Sequence, residues 1–169
     1  VLFASPHSPR LILFGKSLAG IAIGSAQALL VLGIAALIPG IDLRWQYGLV
    51  PGLALSALAI ALVAVFLNGF AQLVASRIRT MQGFHLVMNL LLFPLLFFSG
   101  AFFPLDDLPL WLKLLATVNP LAYPVDLVRL AAYADGSAYL GLAADLPVLL
   151  ILGPAVFLWG IRRHPTYQW

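Results

Sequence analysis

The sequence predicts an all-α integral membrane protein: four transmembrane helices plus a re-entrant or interfacial helical hairpin on the outer side. Three observations carry this. Of 169 residues, 63% are hydrophobic and only 9% are charged, against about 25% charged in soluble domains. Four apolar segments are long enough for a bilayer core, which takes about 20 helical residues. A fifth greasy stretch is broken by prolines and cannot cross as one straight helix.

The chain opens with residues 1–15, VLFASPHSPRLILFG, where Pro6 and Pro9 punctuate the run and Ser5 and Ser8 are placed to cap a helical turn. This reads as a short cytoplasmic element leading into the first span. Spans are expected at 16–38, 49–74, 81–99 and 139–161, with short links at 39–48 and 75–80 and a tail at 162–169. Residues 100–138 form the long connection. Val1 is not an initiator methionine and no signal-peptide pattern follows it, so the sequence is expected to be part of a longer protein.

Charge fixes the expected orientation. Arg10, Lys16, Arg77, Arg79, Arg162 and Arg163 fall on one side of this topology. Asp42, Asp106, Asp107, Asp126, Asp135 and Asp145, the whole acidic complement, fall on the other with Arg44, Lys113 and Arg129. The basic side is cytoplasmic by the positive-inside rule, which puts both ends in the cytoplasm of a multi-pass inner-membrane protein. Trp45, Tyr47, Trp111, Tyr123, Tyr133, Tyr139 and Trp159 lie near the span boundaries, as an aromatic belt requires.

Inside the spans, polar residues are costly and often functional. Gln27 lies in the first span, where Gly20 and Gly24 form a small-xxx-small pair. Asn68 and Gln72 share a face of the second, and His85 and Asn89 share a face of the third. Each pair can line a polar path or bond a neighbouring helix, and bonding between helices is the simpler reading. Pro94, Pro147 and Pro154 are expected to kink their spans. No catalytic constellation is present. The sequence has no phosphate-binding GxxxxGK[ST] loop and no HExxH pair. With no cysteine there is no thiol chemistry, and the scattered His7, His85 and His164 do not suggest a metal site. A formal charge of +3 gives no sign of nucleic-acid binding.

The long connection divides at Asn119-Pro120 into two short helices, expected over 108–118 and 124–133. Asp107 would cap the first. Asp126 would sit in the first turn of the second, with Arg129 three residues on. The pair reads as a staple of the hairpin.

FSGAFFPLDDLPLWLKLLATVNPLAYPVDLVR, starting at Phe98, strongly resembles the signature of ABC type-2 exporter permeases. Ser99, Gly100, Phe103, Pro104, Leu108, Pro109, Trp111, Asn119, Pro120, Tyr123, Asp126 and Arg129 occupy the characteristic places. At the other end, Ser5, Pro6, Gly15 and Lys16 are similar to that family's cytoplasmic coupling element, with Arg10 between them. The resemblance implies the C-terminal part of a six-helix permease half, with its first two helices missing. It implies a partner ATPase subunit that binds ATP and Mg itself and docks near residues 1–15. It also implies a second permease copy, as homodimer or heterodimer, in contact with membrane lipid. The hairpin from Ser99 to Arg129 would be an outer gate, and the cargo an amphipathic drug or lipid-linked molecule. The wording DLP-x-W and NPLAY leans toward the drug and nodulation-lipid branch. The alternative is a four-helix membrane-embedded enzyme or small channel unrelated to ABC transport. Its best polar site would be His85 with Asn89, which lacks a carboxylate.

Overall fold

The computed structural model describes residues 9–39, 41, 43, 45, 47–78, 80–103, 109–133 and 139–163. These form six helices: α1 (Pro9–Leu37), α2 (Leu49–Ala75), α3 (Met81–Phe97), α4 (Leu110–Val118), α5 (Ala122–Ala132) and α6 (Leu142–Arg163). No strand occurs among the described residues. Segments Leu11–Leu37, Leu49–Ala75 and Leu142–Arg163 are long and apolar enough to cross a membrane, with mean hydropathies of 2.0, 2.5 and 2.0. The segment expected to be the third span forms α3, an apolar helix of 17 residues. At 1.5 Å per residue that is about 25 Å, at the lower limit for a span.

Two elements differ from the sequence reading. Helix α1 runs unbroken from Pro9 through Lys16 into the apolar segment, so residues 9–15 are its first turns. Proline is tolerated there because the first turn needs no amide donor. Helix α5 begins at Ala122, two residues before Pro124, which puts Asp126 in its second turn and not its first. Helices α3 and α6 continue through Pro94, Pro147 and Pro154.

The core is a seam between α2 and α6. Helix α2 buries Gly52, Ser56, Ala59, Leu62, Phe66, Gly69 and Gln72, a run at three- and four-residue spacing that keeps one face inward. Helix α6 answers with Asp145, Leu149, Gly153, Phe157 and Gly160. The two helices run parallel: Gly153 lies against Leu62, and Gly160, further along both, against Gly69 and Gln72. Helix α5 closes the far end of the seam, where Leu127 joins Ala59, Leu62 and Leu149 in one cluster. Helix α1 lies along the other flank of α2, with Ser17 against Gln72.

This register places the charges. Lys16, Arg77, Arg162 and Arg163 stand at the end of the bundle where α2 finishes and α6 finishes. Asp126, Asp145 and Arg129 stand at the opposite end, where α5 meets the start of α6. The separation of basic from acidic residues read in the sequence is therefore a separation in space for these residues.

The seam depends on backbones touching. A Cβ on Gly160 would lie 2.6 Å from the Gly69 carbonyl oxygen, and one on Gly69 would strike the Phe157 backbone. Backbone cannot rotate away as a side chain can. Gly69→Ala and Gly160→Ala should each cost about 1–3 kcal/mol. Thermal unfolding in detergent should show a lowered midpoint for both, and no change for Gly24→Ala, whose Cβ would meet nothing within 4 Å.

Candidate functional site: the polar corner at the acidic end

Ser99, Gly100, Asn119, Tyr123, Asp126 and Arg129 lie where α3, α4, α5 and α6 end or begin. A helix leaves its last carbonyls and first amides without internal partners, and in an apolar setting each needs another one. Helix α3 finishes in this way. The Phe98 amide reaches the Pro94 carbonyl, and the Ser99 amide turns tightly onto that of Leu96. That leaves the Leu95 carbonyl, and the Asn119 side-chain amide donates to it from 24 residues away. The Ser99 hydroxyl donates to the Leu96 carbonyl at 2.6 Å and accepts from the Ala101 amide at 3.3 Å. Gly100 turns the chain with φ +82°, a conformation open to glycine, and its carbonyl accepts from the Arg129 guanidinium at 2.7 Å.

Asn119 does a second task at the corner between α4 and α5. Its carbonyl oxygen accepts from the Leu121 amide at 2.9 Å, and the side chain is only 5% exposed. Pro120 follows it and carries no amide to satisfy. The Tyr123 hydroxyl donates to the Thr117 carbonyl at 2.6 Å, tying the start of α5 to the end of α4. Tyr123 is thus a hairpin tie as well as a boundary aromatic.

Asp126 joins α5 to α6. Its carboxylate, 3% exposed, accepts from the amides of Tyr139, Leu140 and Gly141 at 3.0, 2.9 and 3.2 Å. These residues lead directly into α6, where a negative charge is favourable. Asp126 and Arg129 are both staples, as the sequence suggested, but they bond different backbone segments and do not bond each other. Beside Asp126 lies Asp145, in the first turn of α6 and fully buried. Neither of its carboxylate oxygens meets hydrogen-bond geometry with another described group. The Ser56 hydroxyl, on the same end of the seam, is likewise buried and unpartnered among the described residues. The sequence reading took Asp145 as one more outer charge. Asp145 recurs at the apolar spacing of α6, four residues before Leu149, and that was the available signal.

The other candidate residues fall into separate groups. Phe103 lies in the bend after α3, 6.4 Å from the Phe97 ring, and Trp111 is exposed on α4. Pro109 sits at the N-cap of α4. Pro104 and the expected cap Asp107 lie outside the described residues, as do Ser5 and Pro6. Arg10 is in the first turns of α1, and Gly15 and Lys16 are exposed on the same helix. Asn68 and Gln72 are brought together with α1: the Gln72 amide donates to the Ser17 hydroxyl at 2.8 Å and to the Asn68 side-chain oxygen at 3.1 Å. Gly20 makes room for Asn68, since a Cβ there would come within 2.9 Å of its side-chain nitrogen. Gln27, His85 and Asn89 are exposed on α1 and α3 and do not join this cluster.

A fold that is all-helical among the described residues, with three helices long and apolar enough to cross a membrane, defines a multi-pass membrane protein. Residues 1–133 match the ABC-2 type transporter family, and the chain belongs to that family. It is 27% identical over 152 residues to the Escherichia coli K12 protein named probable multidrug ABC transporter permease YbhR, an alignment covering 89% of this chain and 39% of that relative. It is 33% identical over 79 residues to nodulation protein J of Rhizobium leguminosarum bv. viciae, covering 47% of this chain and 28% of that one. The chain thus spans about two fifths of the length of the first of these relatives. No solved structure matches it. Membership sets aside the unrelated membrane enzyme or channel.

The corner makes its own prediction. Asp126→Ala leaves three amides without their acceptor and should cost on the order of 3 kcal/mol or more. Asp126→Asn keeps an acceptor oxygen and should cost less. Melting temperatures in detergent should fall in the order wild type, Asn variant, Ala variant, and equal midpoints would contradict the assignment.

Proposed function

We propose that this chain is the membrane-spanning part of an ABC exporter permease, driven by a separate cytoplasmic ATPase subunit that binds ATP and Mg. The observation that carries this reading is the coincidence of two things at one place. The residues that resemble the export-permease signature, Ser99, Gly100, Asn119, Tyr123, Asp126 and Arg129, are those that close the acidic end of the bundle. A transport protein needs such a closure, rigid within itself and jointed to the spans.

In this reading α3 is a fourth span, completed by the turn through Ser99. The basic end, with Lys16, Arg77, Arg162 and Arg163, faces the cytoplasm of an inner membrane by the positive-inside rule. The hairpin of α4 and α5 then lies re-entrant at the outer face and gates the exit. Residues 1–15, with Ser5, Pro6, Arg10, Gly15 and Lys16, form the coupling element on which the ATPase pushes. A second permease copy, identical or related, completes the path. Its contact surface draws on α1 and α3, which bury little: no residue of α3 is buried, and none of the apolar window of α1. The relatives' names support a cargo that is amphipathic, either drug-like or lipid-linked. Gln27, His85 and Asn89, exposed on those same two helices, would meet the path or the second copy there.

The reading is tested with the full-length protein and its ATPase in sealed vesicles loaded with an amphipathic cationic dye. ATP-dependent dye movement is expected. Arg10→Glu with Lys16→Glu should reduce ATPase co-purification and transport by about tenfold or more, as loss of a docking contact worth about 1.4 kcal/mol or more would. Transport or conductance by the chain alone, indifferent to ATP, would overturn it.

A further inference from the structure

At the basic end, α2, α3 and α6 do not close on one another. They leave a cavity of about 300 Å³ lined by Val74, Arg77 and Ile78 after and within the last turn of α2, Val87 of α3, and Trp159 and Arg163 of α6. The lining divides by chemistry. Arg77 and Arg163 are exposed at its mouth, and the Arg163 guanidinium lies over the Trp159 ring at 5.8 Å. Among the described residues neither arginine is paired with a carboxylate. Apart from Ser76 and Trp159, the remaining wall is branched aliphatic.

We propose that this cavity binds the headgroup of an anionic phospholipid, its phosphodiester held by Arg77 and Arg163 and the start of one acyl chain lying along Val74, Ile78 and Val87. Guanidinium groups favour phosphate because their planar donors match its oxygens in pairs. Basic pockets between spans, at the level where apolar helices end, are the general form of such sites. Free phosphate would use the arginines and leave the aliphatic wall wet. An acidic segment of a partner protein would meet the arginines without filling the space between helices. Only an amphipathic anion uses both halves of the lining. The contact of Arg163 with Trp159 ties the guanidinium to a residue that favours the interfacial level. The inference does not depend on the cargo or on the direction of transport.

The test uses the purified full-length protein in mixed micelles carrying phosphatidylglycerol or phosphatidylcholine, with retained lipid counted by native mass spectrometry. Phosphatidylglycerol should be retained over phosphatidylcholine by about tenfold. The double variant Arg77→Gln with Arg163→Gln should lose that preference, Arg77→Lys with Arg163→Lys should keep part of it, and Arg162→Gln should keep all of it. The last removes the same kind of charge from an exposed position outside the cavity. Equal retention of the two lipids, equal loss in Arg162→Gln, or equal saturation by glycerol phosphate without acyl chains would each overturn the proposal. Should the double variant not fold, the wild type decides alone. Its melting temperature should rise with phosphatidylglycerol and not with phosphatidylcholine, and an equal rise with both would refute the site.

Discussion

A helix that ends inside apolar surroundings must find partners for its terminal backbone groups within the protein, and the acidic end of this bundle is organised by that demand. Three side chains meet it. Asn119 takes the spare carbonyl of α3 and the first amide after Pro120. Arg129 takes the carbonyl of Gly100, and Asp126 takes three amides at the entrance to α6. Because each partner lies on a different element, satisfying the backbone also fixes how α3, α4, α5 and α6 meet. Packing follows from this joint. With α5 pinned to the start of α6, Leu127 lies against Leu149 and Ala59, and the cluster at that end of the core is closed.

Along the seam the governing constraint is different. Between spans there is little hydrophobic gain from contact, so close packing decides association. Small residues at Gly69, Gly153 and Gly160 let α2 and α6 approach until backbone touches backbone. Helices α1 and α3 have no such seam on their outer faces and leave them apolar and uncovered. The closely packed pair of α2 and α6 is thus flanked by two helices whose outer faces are exposed. Asp145, beside Asp126, and Ser56 are buried at the end of the seam where α5 meets α6.

The sequence made the architecture legible where composition alone decides it. Apolar length pointed to the three long helices, and the split of bases from acids matches the two ends of the bundle. Proline with asparagine at 119–120 gave the hairpin corner. The staple role of Asp126 and Arg129 was also readable, although they were expected to act together and instead bond separate backbones. Other features were hidden because they belong to pairs of helices. Nothing local distinguishes Gly69, which touches Phe157, from Gly24, which touches nothing. Nothing local says that Asn68 and Gln72 turn to Ser17 while His85 and Asn89 stay exposed. The burial of Asp145 was hidden for the same reason: its place at the acidic end was readable, but only the seam covers it.

In the proposed orientation the capped corner faces outward and the arginine-rich end faces the cytoplasm. The chain contains no cysteine, so single cysteines report position without background. Tyr133→Cys, exposed at the end of α5, and Arg162→Cys, exposed at the end of α6, would be introduced separately into the full-length protein. Each would be treated in intact cells with a membrane-impermeant maleimide. The account predicts labelling at position 133 in intact cells and at position 162 only after permeabilisation. Labelling of 162 from outside, or protection of 133 until the membrane is opened, would contradict it.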